Sequence, residues 1–239
     1  MAADIEFSLV VPAYEESERI QNTLRDYYES MTGRFKEFEI IVVCDGPDCT
    51  REVVMKTSKS LPRIRLLSYP GRLGKGGALT EGFKASRGRL IGFTDADESV
   101  RPASFMKLVR IVEQGKADAA VASRYVEGAR ILRPQPLGRR IFSRVFNVIV
   151  RILFGIKCKD TQCGAKVFTR KAVESVLPLL TCNGFEIDVE LLWRLKSMKK
   201  RILEIPVSWG HKDNGVFNMN FITGYRMLKN LVKAFLFSI

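Results

Sequence analysis

Leu90-Ile91-Gly92-Phe93-Thr94-Asp95-Ala96-Asp97 is an uncharged, β-rich run that ends in two carboxylates at i and i+2. Its apolar part has the length of a short buried strand, and the acids fall where that strand would meet solvent. Carboxylates beside a core are costly unless something compensates them. A divalent cation holding a diphosphate is one such partner: hard oxygen ligands suit Mg²⁺ or Mn²⁺, and the metal offsets phosphate charge. A D-x-D triplet is a short pattern, and two ligand-free carboxylates in a strand-end loop would read alike. The surrounding sequence favours the first reading.

Upstream, residues 7–11, 38–43 and 64–68 are further short apolar runs. Between them, residues 15–31 and 50–60 predict helices, the first with Ile20, Leu24, Tyr27, Tyr28 and Met31 at helical spacing. A glycine-rich loop at 71–77 leads into a helix through Ala85, and beyond the acids residues 102–114 predict a helix and 117–123 a strand. Alternating helices and continuous apolar strands argue for an α/β fold, a parallel sheet covered on both faces. Ligands of such sheets bind beyond the carboxyl ends of the strands. Pro12-Ala13-Tyr14-Glu15, Asp45, the stretch from Arg72 to Lys75, and Asp95 with Asp97 all fall at those ends, outlining one site.

Each cluster has a chemical reading. Gly71-Arg72-Leu73-Gly74-Lys75-Gly76-Gly77-Ala78 can cradle phosphate on backbone N–H groups and add Arg72 and Lys75. It is not a Walker A loop, because the glycine spacing differs and no Ser or Thr follows the lysine. Asp45 can accept a hydrogen bond from a nucleobase or ribose, or cap a helix. Tyr14 can pack on a base and Glu15 can hold a ribose, or the pair can simply open a helix.

The chain of 239 residues is 46% apolar, ample for one large α/β domain. No uninterrupted apolar stretch reaches about 18 residues, so no membrane span is predicted. Asp4 and Glu6 before the first strand exclude a signal peptide. Five cysteines, an odd number, read as free thiols. The net charge of +13 is uneven: residues 1–123 balance, whereas 124–171 carry 12 basic and 2 acidic side chains. The second half should therefore meet something anionic: nucleic acid, an acidic membrane surface or a phosphorylated substrate. There, Arg140, Arg144, Asn147 and Arg151 form a narrow polar stripe on a predicted helix whose remaining faces are apolar. Arg226, Lys229 and Lys233 do the same near the C-terminus. Such helices lie in a membrane interface, or pack as ordinary core helices with solvated cations.

Val11-Pro12-Ala13-Tyr14-Glu15-Glu16, Cys44-Asp45-Gly46, the glycine loop and Asp95-Ala96-Asp97 stand in the order of family 2 glycosyltransferases of the GT-A fold, which the chain resembles over roughly residues 5–235. Ser123-Arg124-Tyr125, Asp160-Thr161-Gln162-Cys163-Gly164-Ala165-Lys166-Val167-Phe168, Phe185-Glu186-Ile187-Asp188-Val189-Glu190 and Glu204-Ile205-Pro206-Val207 resemble dolichyl-phosphate β-glucosyltransferases, relatives of the dolichyl-phosphate mannose synthases.

The resemblance implies a single GT-A domain over 1–239, with a mainly parallel sheet covered by helices. Residues 1–123 would bind the nucleotide sugar. Residues 124–239 would bind the acceptor and carry amphipathic membrane-interface helices at about 139–156 and 222–239. It implies inverting transfer of a hexose from a nucleoside diphosphate sugar to a polyprenyl or dolichyl phosphate, by a peripheral enzyme on the cytoplasmic side of a membrane. UDP-glucose is the favoured donor; GDP-mannose and UDP-N-acetylglucosamine stay open. Pro12, Tyr14, Glu15 and Asp45 would hold the nucleoside, with Arg72 and Lys75 beside the donor. Asp95 and Asp97 would hold Mg²⁺ or Mn²⁺. Arg124, Arg139 and Ser143 would grip the lipid phosphate. Asp160, Gln162, Asp188 and Glu190 would line the sugar pocket. Asp97, Arg124 and Arg139 are the catalytic expectation. The acid that relatives carry before Asp45 is Cys44 here, and Glu98 is an extra metal ligand or a solvated side chain.

A phosphate acceptor is already an anion at pH 7 and needs no general base, so His211, the single histidine, reads as a loop residue near the acceptor. A saccharide acceptor would need a base, for which Glu98, Asp188 and Glu190 are the candidates. A nucleic-acid or anionic-lipid binding module using the basic half would leave the strand-end cluster unexplained.

Overall fold

The computed structural model describes residues 4–212 and 221–236. The first half alternates strand and helix: β1 (Phe7–Ala13), α1 (Ile20–Thr32), β2 (Phe38–Cys44), α2 (Thr50–Ser60), β3 (Ile64–Ser68), α3 (Gly74–Ala85), β4 (Leu90–Thr94), α4 (Pro102–Glu113) and β5 (Ala119–Ser123). The second half adds β6 (Arg130–Arg133), α5 (Leu137–Phe154), β7 (Ala165–Thr169), α6 (Arg170–Val176), α7 (Ile187–Ser197), β8 (Ile202–Pro206), β9 (Ser208–Gly210) and α8 (Phe221–Leu236). Residues 237–239, the end of the second expected amphipathic helix, lie outside the described residues.

Seven strands form one sheet in the order β3-β2-β1-β4-β7-β5-β8, and β6 pairs with β9 apart from it. The apolar runs are continuous because both faces are covered. Leu9 and Val11 of β1 join Ile40 and Val42 of β2 in a core under α1 and α4, while Val10, Ile41 and Val43 face the core under α3, α6 and α7. A third cluster joins α5, α7 and α8 through Phe146, Phe154, Trp193 and Leu231.

Two helix starts depart from the sequence reading, whereas the sheet is mainly parallel as expected, with β7 running antiparallel between β4 and β5. Ala165 therefore pairs with Thr94, and residues 160–164 enter at the edge where β4 ends. Helix α1 starts at Ile20 and not at residue 15. Glu15 adopts φ +55°, and the N–H groups of Glu16 and Ser17 donate to Thr50 Oγ1 (2.8 Å) and Asp48 Oδ2 (3.3 Å), tying this turn to the β2–α2 loop. Helix α3 starts inside the glycine run, at Gly74.

Helix α5 buries Ser143, Phe146, Asn147, Val150 and Phe154. Ile141, Val145, Val148, Ile149, Ile152 and Leu153 are exposed. Asn147, placed in the solvent stripe by the sequence, instead accepts from Thr161 Oγ1 at 3.0 Å in the interior. Among the described residues, no helix is long and apolar enough to cross a membrane.

Candidate active site

The carboxyl ends of β1, β2 and β4 open into a cleft of about 1130 Å³. Of the expected site residues, Pro12, Tyr14, Asp45, Arg72, Lys75, Asp95, Asp97, Arg124, Arg139, Ser143, Gln162 and Asp188 line it. Glu15, Asp160 and Glu190 do not.

Asp95 is seated by the chain entering β7. Its N–H donates to the Gly164 carbonyl at 2.9 Å, and a Cβ at Gly164 would fall 1.7 Å from Asp95 Oδ2. Asp95 Oδ1 lies 2.8 Å from Lys75 Nζ, and the same ammonium lies 2.8 Å from Asp188 Oδ2. The other Asp188 oxygen pairs with Lys166, a fully buried lysine that also donates to the Cys163 carbonyl at 3.0 Å. The result is an alternating row: Lys166, Asp188, Lys75, Asp95. Burial pulls the Lys75 pKa down, but Asp188 and Asp95 outweigh it and the net shift is upward. Burial pushes Asp188 up, and Lys166 and Lys75 overcome it to hold the carboxyl below its ordinary value. Asp188 was expected in the sugar pocket. Both its oxygens are engaged by lysines, so it positions Lys75.

Asp97 accepts from Ser99 at both oxygens, from the N–H at 2.9 Å and from Oγ at 2.8 Å. Glu16 also lines the cleft; burial is the main cause that pushes its carboxyl up to about 7, with Arg19 opposing and Asp97 adding. The sequence reading assigned Glu15 and missed Glu16, because the left-handed turn at Glu15 decides which acid faces inward. Glu98 is neither a cleft residue nor free in solvent: it faces Asp26, and burial followed by Asp26 raises its pKa.

Four of the N–H groups that the glycine loop could offer to phosphate are engaged within the protein. Leu73 and Gly74 N–H donate to Asp45 Oδ2 at 2.8 and 2.9 Å, and Gly76 and Gly77 N–H donate to the Asn183 carbonyl at 2.8 and 3.4 Å. A Cβ at Gly76 would lie 2.0 Å from the Cys182 carbonyl oxygen, so glycine lets the loop at residues 182–183 close on α3. Asp45 thus caps α3 with one oxygen, leaving the other for a ligand. Arg72 covers the Tyr14 ring at 3.9 Å, a cation–π contact.

Glu190 was expected at the sugar and is buried elsewhere. It accepts from Thr181 N–H, Thr181 Oγ1 and Cys182 N–H at 2.9–3.1 Å and pairs with Arg194 at 2.7 Å. Its role is to hold the loop on which Gly76 rests. Asp160 likewise is fully buried. It takes Arg124 Nε and Nη2 at 2.7 and 2.9 Å and Arg124 N–H at 2.9 Å, which fixes the guanidinium plane at the cleft wall. Burial lowers the Arg124 pKa, and Asp160 more than restores it. Arg139 stands in the first turn of α5 with Ser143 one turn on; burial, then Arg124, push its pKa down, while Asp97 pushes it up.

The far wall was not foreseen. Helix α8 presents Arg226, Asn230 and Lys233 to the cleft, and Asn230 Nδ2 donates to Glu186 Oε1 at 2.7 Å. Helical spacing shows a basic face but not what it faces. His211 lines the cleft, its ring stacked on Trp209 at 6.1 Å.

This sheet and its strand-end cleft are the GT-A fold, and the chain belongs to the glycosyl transferase family 2, whose model matches residues 8–177. It is 36% identical over 216 residues to the glycosyltransferase AglD of Haloferax volcanii, covering 89% of this chain and 34% of that protein. It is 36% identical to the dolichyl-phosphate beta-glucosyltransferase ALG5C of Trichomonas vaginalis, covering 87% of this chain and 64% of that protein. The Saccharomyces cerevisiae dolichyl-phosphate beta-glucosyltransferase is 31% identical, with 96% of this chain and 74% of that protein covered. The chain thus spans about a third of the first relative and just under two thirds of the second. Among solved structures, glucosyl-3-phosphoglycerate synthase from Mycobacterium tuberculosis, in complex with Mn²⁺, UDP and phosphoglyceric acid, superposes with a TM-score of 0.67 at 17% identity, covering 96% of this chain and 78% of that one. Mannosyl-3-phosphoglycerate synthase from Rubrobacter xylanophilus gives 0.66 at 19%, covering 96% and 72%.

Proposed function

We propose that this chain is an inverting hexosyltransferase that moves glucose from UDP-glucose to a polyprenyl or dolichyl phosphate at the cytoplasmic surface of a membrane. The observation that carries the reading is the facing of opposite charges across one cleft. Asp95 and Asp97 stand at the end of β4, and Arg124 and Arg139 stand on the other wall, close enough that Asp97 acts on the Arg139 pKa. The kinship with dolichyl-phosphate beta-glucosyltransferases supports the acceptor and, more loosely, the sugar.

The donor set fits a divalent cation, Mg²⁺ or Mn²⁺. Asp95 and Asp97 are hard oxygen donors, and among the described residues no third His, Cys, Asp or Glu converges on them, so diphosphate oxygens would complete the shell. When bound, the cation neutralises charge that develops on the leaving diphosphate. Lys75, held by Asp188, adds a fixed positive charge beside Asp95. Tyr14 under Arg72 and the free oxygen of Asp45 would hold the nucleoside. Arg124, its plane set by Asp160, and Arg139 in the first turn of α5 would orient the acceptor phosphate. That phosphate is already an anion, so the residues supply position and charge and no general base. The outward apolar face of α5 suits a membrane interface.

The test is transfer of labelled hexose in detergent, with UDP-glucose and GDP-mannose offered separately to a short polyprenyl phosphate. Organic-extractable label from UDP-glucose, lost in Asp97→Ala and on chelation of divalent cations, is expected. Label from GDP-mannose alone would move the donor. Label from neither, with UDP still bound, would overturn the lipid-phosphate acceptor.

A further inference from the structure

A second recess, of about 580 Å³, shares only Arg124 with the cleft. Arg144, Arg151 and Lys159 line it together with Tyr125. Two guanidinium groups make cation–π contacts with the Tyr125 ring, Arg124 at 5.3 Å and Arg144 at 4.9 Å from its centre. Among the described residues, none of Arg144, Arg151 and Lys159 pairs with a carboxylate. The acids nearby are otherwise placed: Asp160 holds Arg124, Glu204 accepts the N–H groups of Lys159 and Asp160, and Glu127 is exposed in the lining.

Three cations gathered without a carboxylate partner make a site for an anion. A phosphate oxygen is the acceptor that guanidinium and ammonium groups together suit best. The recess adjoins the outward face of α5, where Val148 and Ile152 are 50% and 76% exposed. Cations beside an exposed apolar helix face match a lipid whose headgroup is anionic and whose chains are apolar.

We propose that this recess binds the phosphate headgroup of an anionic phospholipid, with the exposed face of α5 against the acyl chains. The inference rests on the membrane-surface part of the function proposed above, and not on its donor or acceptor. Because Arg124 borders both cavities, the headgroup would sit one side chain away from the acceptor site.

The test is flotation of the full chain with phosphatidylcholine vesicles doped either with phosphatidic acid or with oleate, matched in surface charge. Wild type should prefer phosphatidic acid. Arg151→Lys keeps the charge and removes the planar guanidinium fork, and should lower that preference. Lys159→Gln, at an exposed position, should weaken binding about fivefold, whereas Lys59→Gln on α2 should leave it unchanged. Thermal melts check that each variant folds, and Lys159→Gln decides the matter if Arg151→Lys does not. Equal binding to both vesicle types would overturn the proposal, as would an unaffected Lys159→Gln. So would preferential displacement by inorganic phosphate over chloride with no vesicle preference, which would point to a free phosphate. Transfer in detergent, measured in parallel, separates this outcome from failure of the enzymatic reading.

Discussion

Gly164 lies against Asp95 so closely that its missing Cβ would sit 1.7 Å from Asp95 Oδ2 and 2.3 Å from the carboxyl carbon. The two residues are joined by the Asp95 N–H to Gly164 carbonyl bond, so neither can retreat without breaking the end of the β4–β7 ladder. The absence of a side chain at one residue therefore decides where the other's carboxylate stands.

Gly164→Ala should displace the Asp95 carboxylate while the sheet persists. A shift of about 1 Å at a reacting site costs on the order of 100-fold in rate. Transfer activity is expected to fall by about that factor, with a far-UV spectrum like wild type. Full activity in a folded variant would show that Asp95 tolerates another position.

Asp188→Asn removes the carboxylate between two buried lysines. Breaking a buried ion pair from one side costs about 3–5 kcal/mol. The urea midpoint should drop accordingly, and Lys166→Met added to Asp188→Asn should restore part of the loss, since the deeper lysine no longer needs a partner. A single variant as stable as wild type would remove the charge row from the account of stability.

Asp160→Asn should leave Arg124 charged but poorly oriented. UDP binding by calorimetry is expected to stay within about twofold, whereas kcat/KM for polyprenyl phosphate should fall about 10- to 100-fold. Equal losses for donor and acceptor would mean that Asp160 supports the whole cleft and not Arg124 in particular.

Glu39 gives the pH dependence of folding. It is 2% exposed and accepts from Ser8 Oγ and Arg87 N–H, both at 2.7 Å, while pairing with Arg65. Burial would raise its pKa, but Ser8, Arg65 and Arg87 outweigh it and hold the carboxyl below its ordinary value. A folded value below the unfolded one, about 4.3, means stability that is present above that pH and lost as pH falls through the folded value. Wild type should exceed Glu39→Gln by about 2–3 kcal/mol at pH 7, and the gap should close below the ordinary glutamate range. A gap independent of pH would refute the ionised role.

The strands and the line of polar clusters at their ends were legible in the chain alone. β3, β4 and α2 begin and end where their apolar runs and turn residues place them, and Asp45, Lys75, Asp95 and Asp97 line one cleft as their strand-end positions predict. Those features depend on local periodicity and turn chemistry, which neighbouring residues carry. Direction and pairing do not depend on neighbours. An alternating or continuous apolar run reads the same in either direction, so the antiparallel insertion of β7 was hidden, and with it the seat that Gly164 makes for Asp95. Lys75 and Asp188 are 113 residues apart in the chain, and no spacing rule links them. Asp160, Asp188 and Glu190 look like ligand-binding acids in the sequence, yet the fold gives them to Arg124, to two lysines and to a loop. A buried carboxylate takes whatever cation or N–H group the topology brings within reach, because leaving it unpaired costs more than any single contact returns. The sequence by itself thus determined the sheet edge at which the site forms. Only the tertiary structure decided which of its charged side chains face the cleft and which hold the others in place.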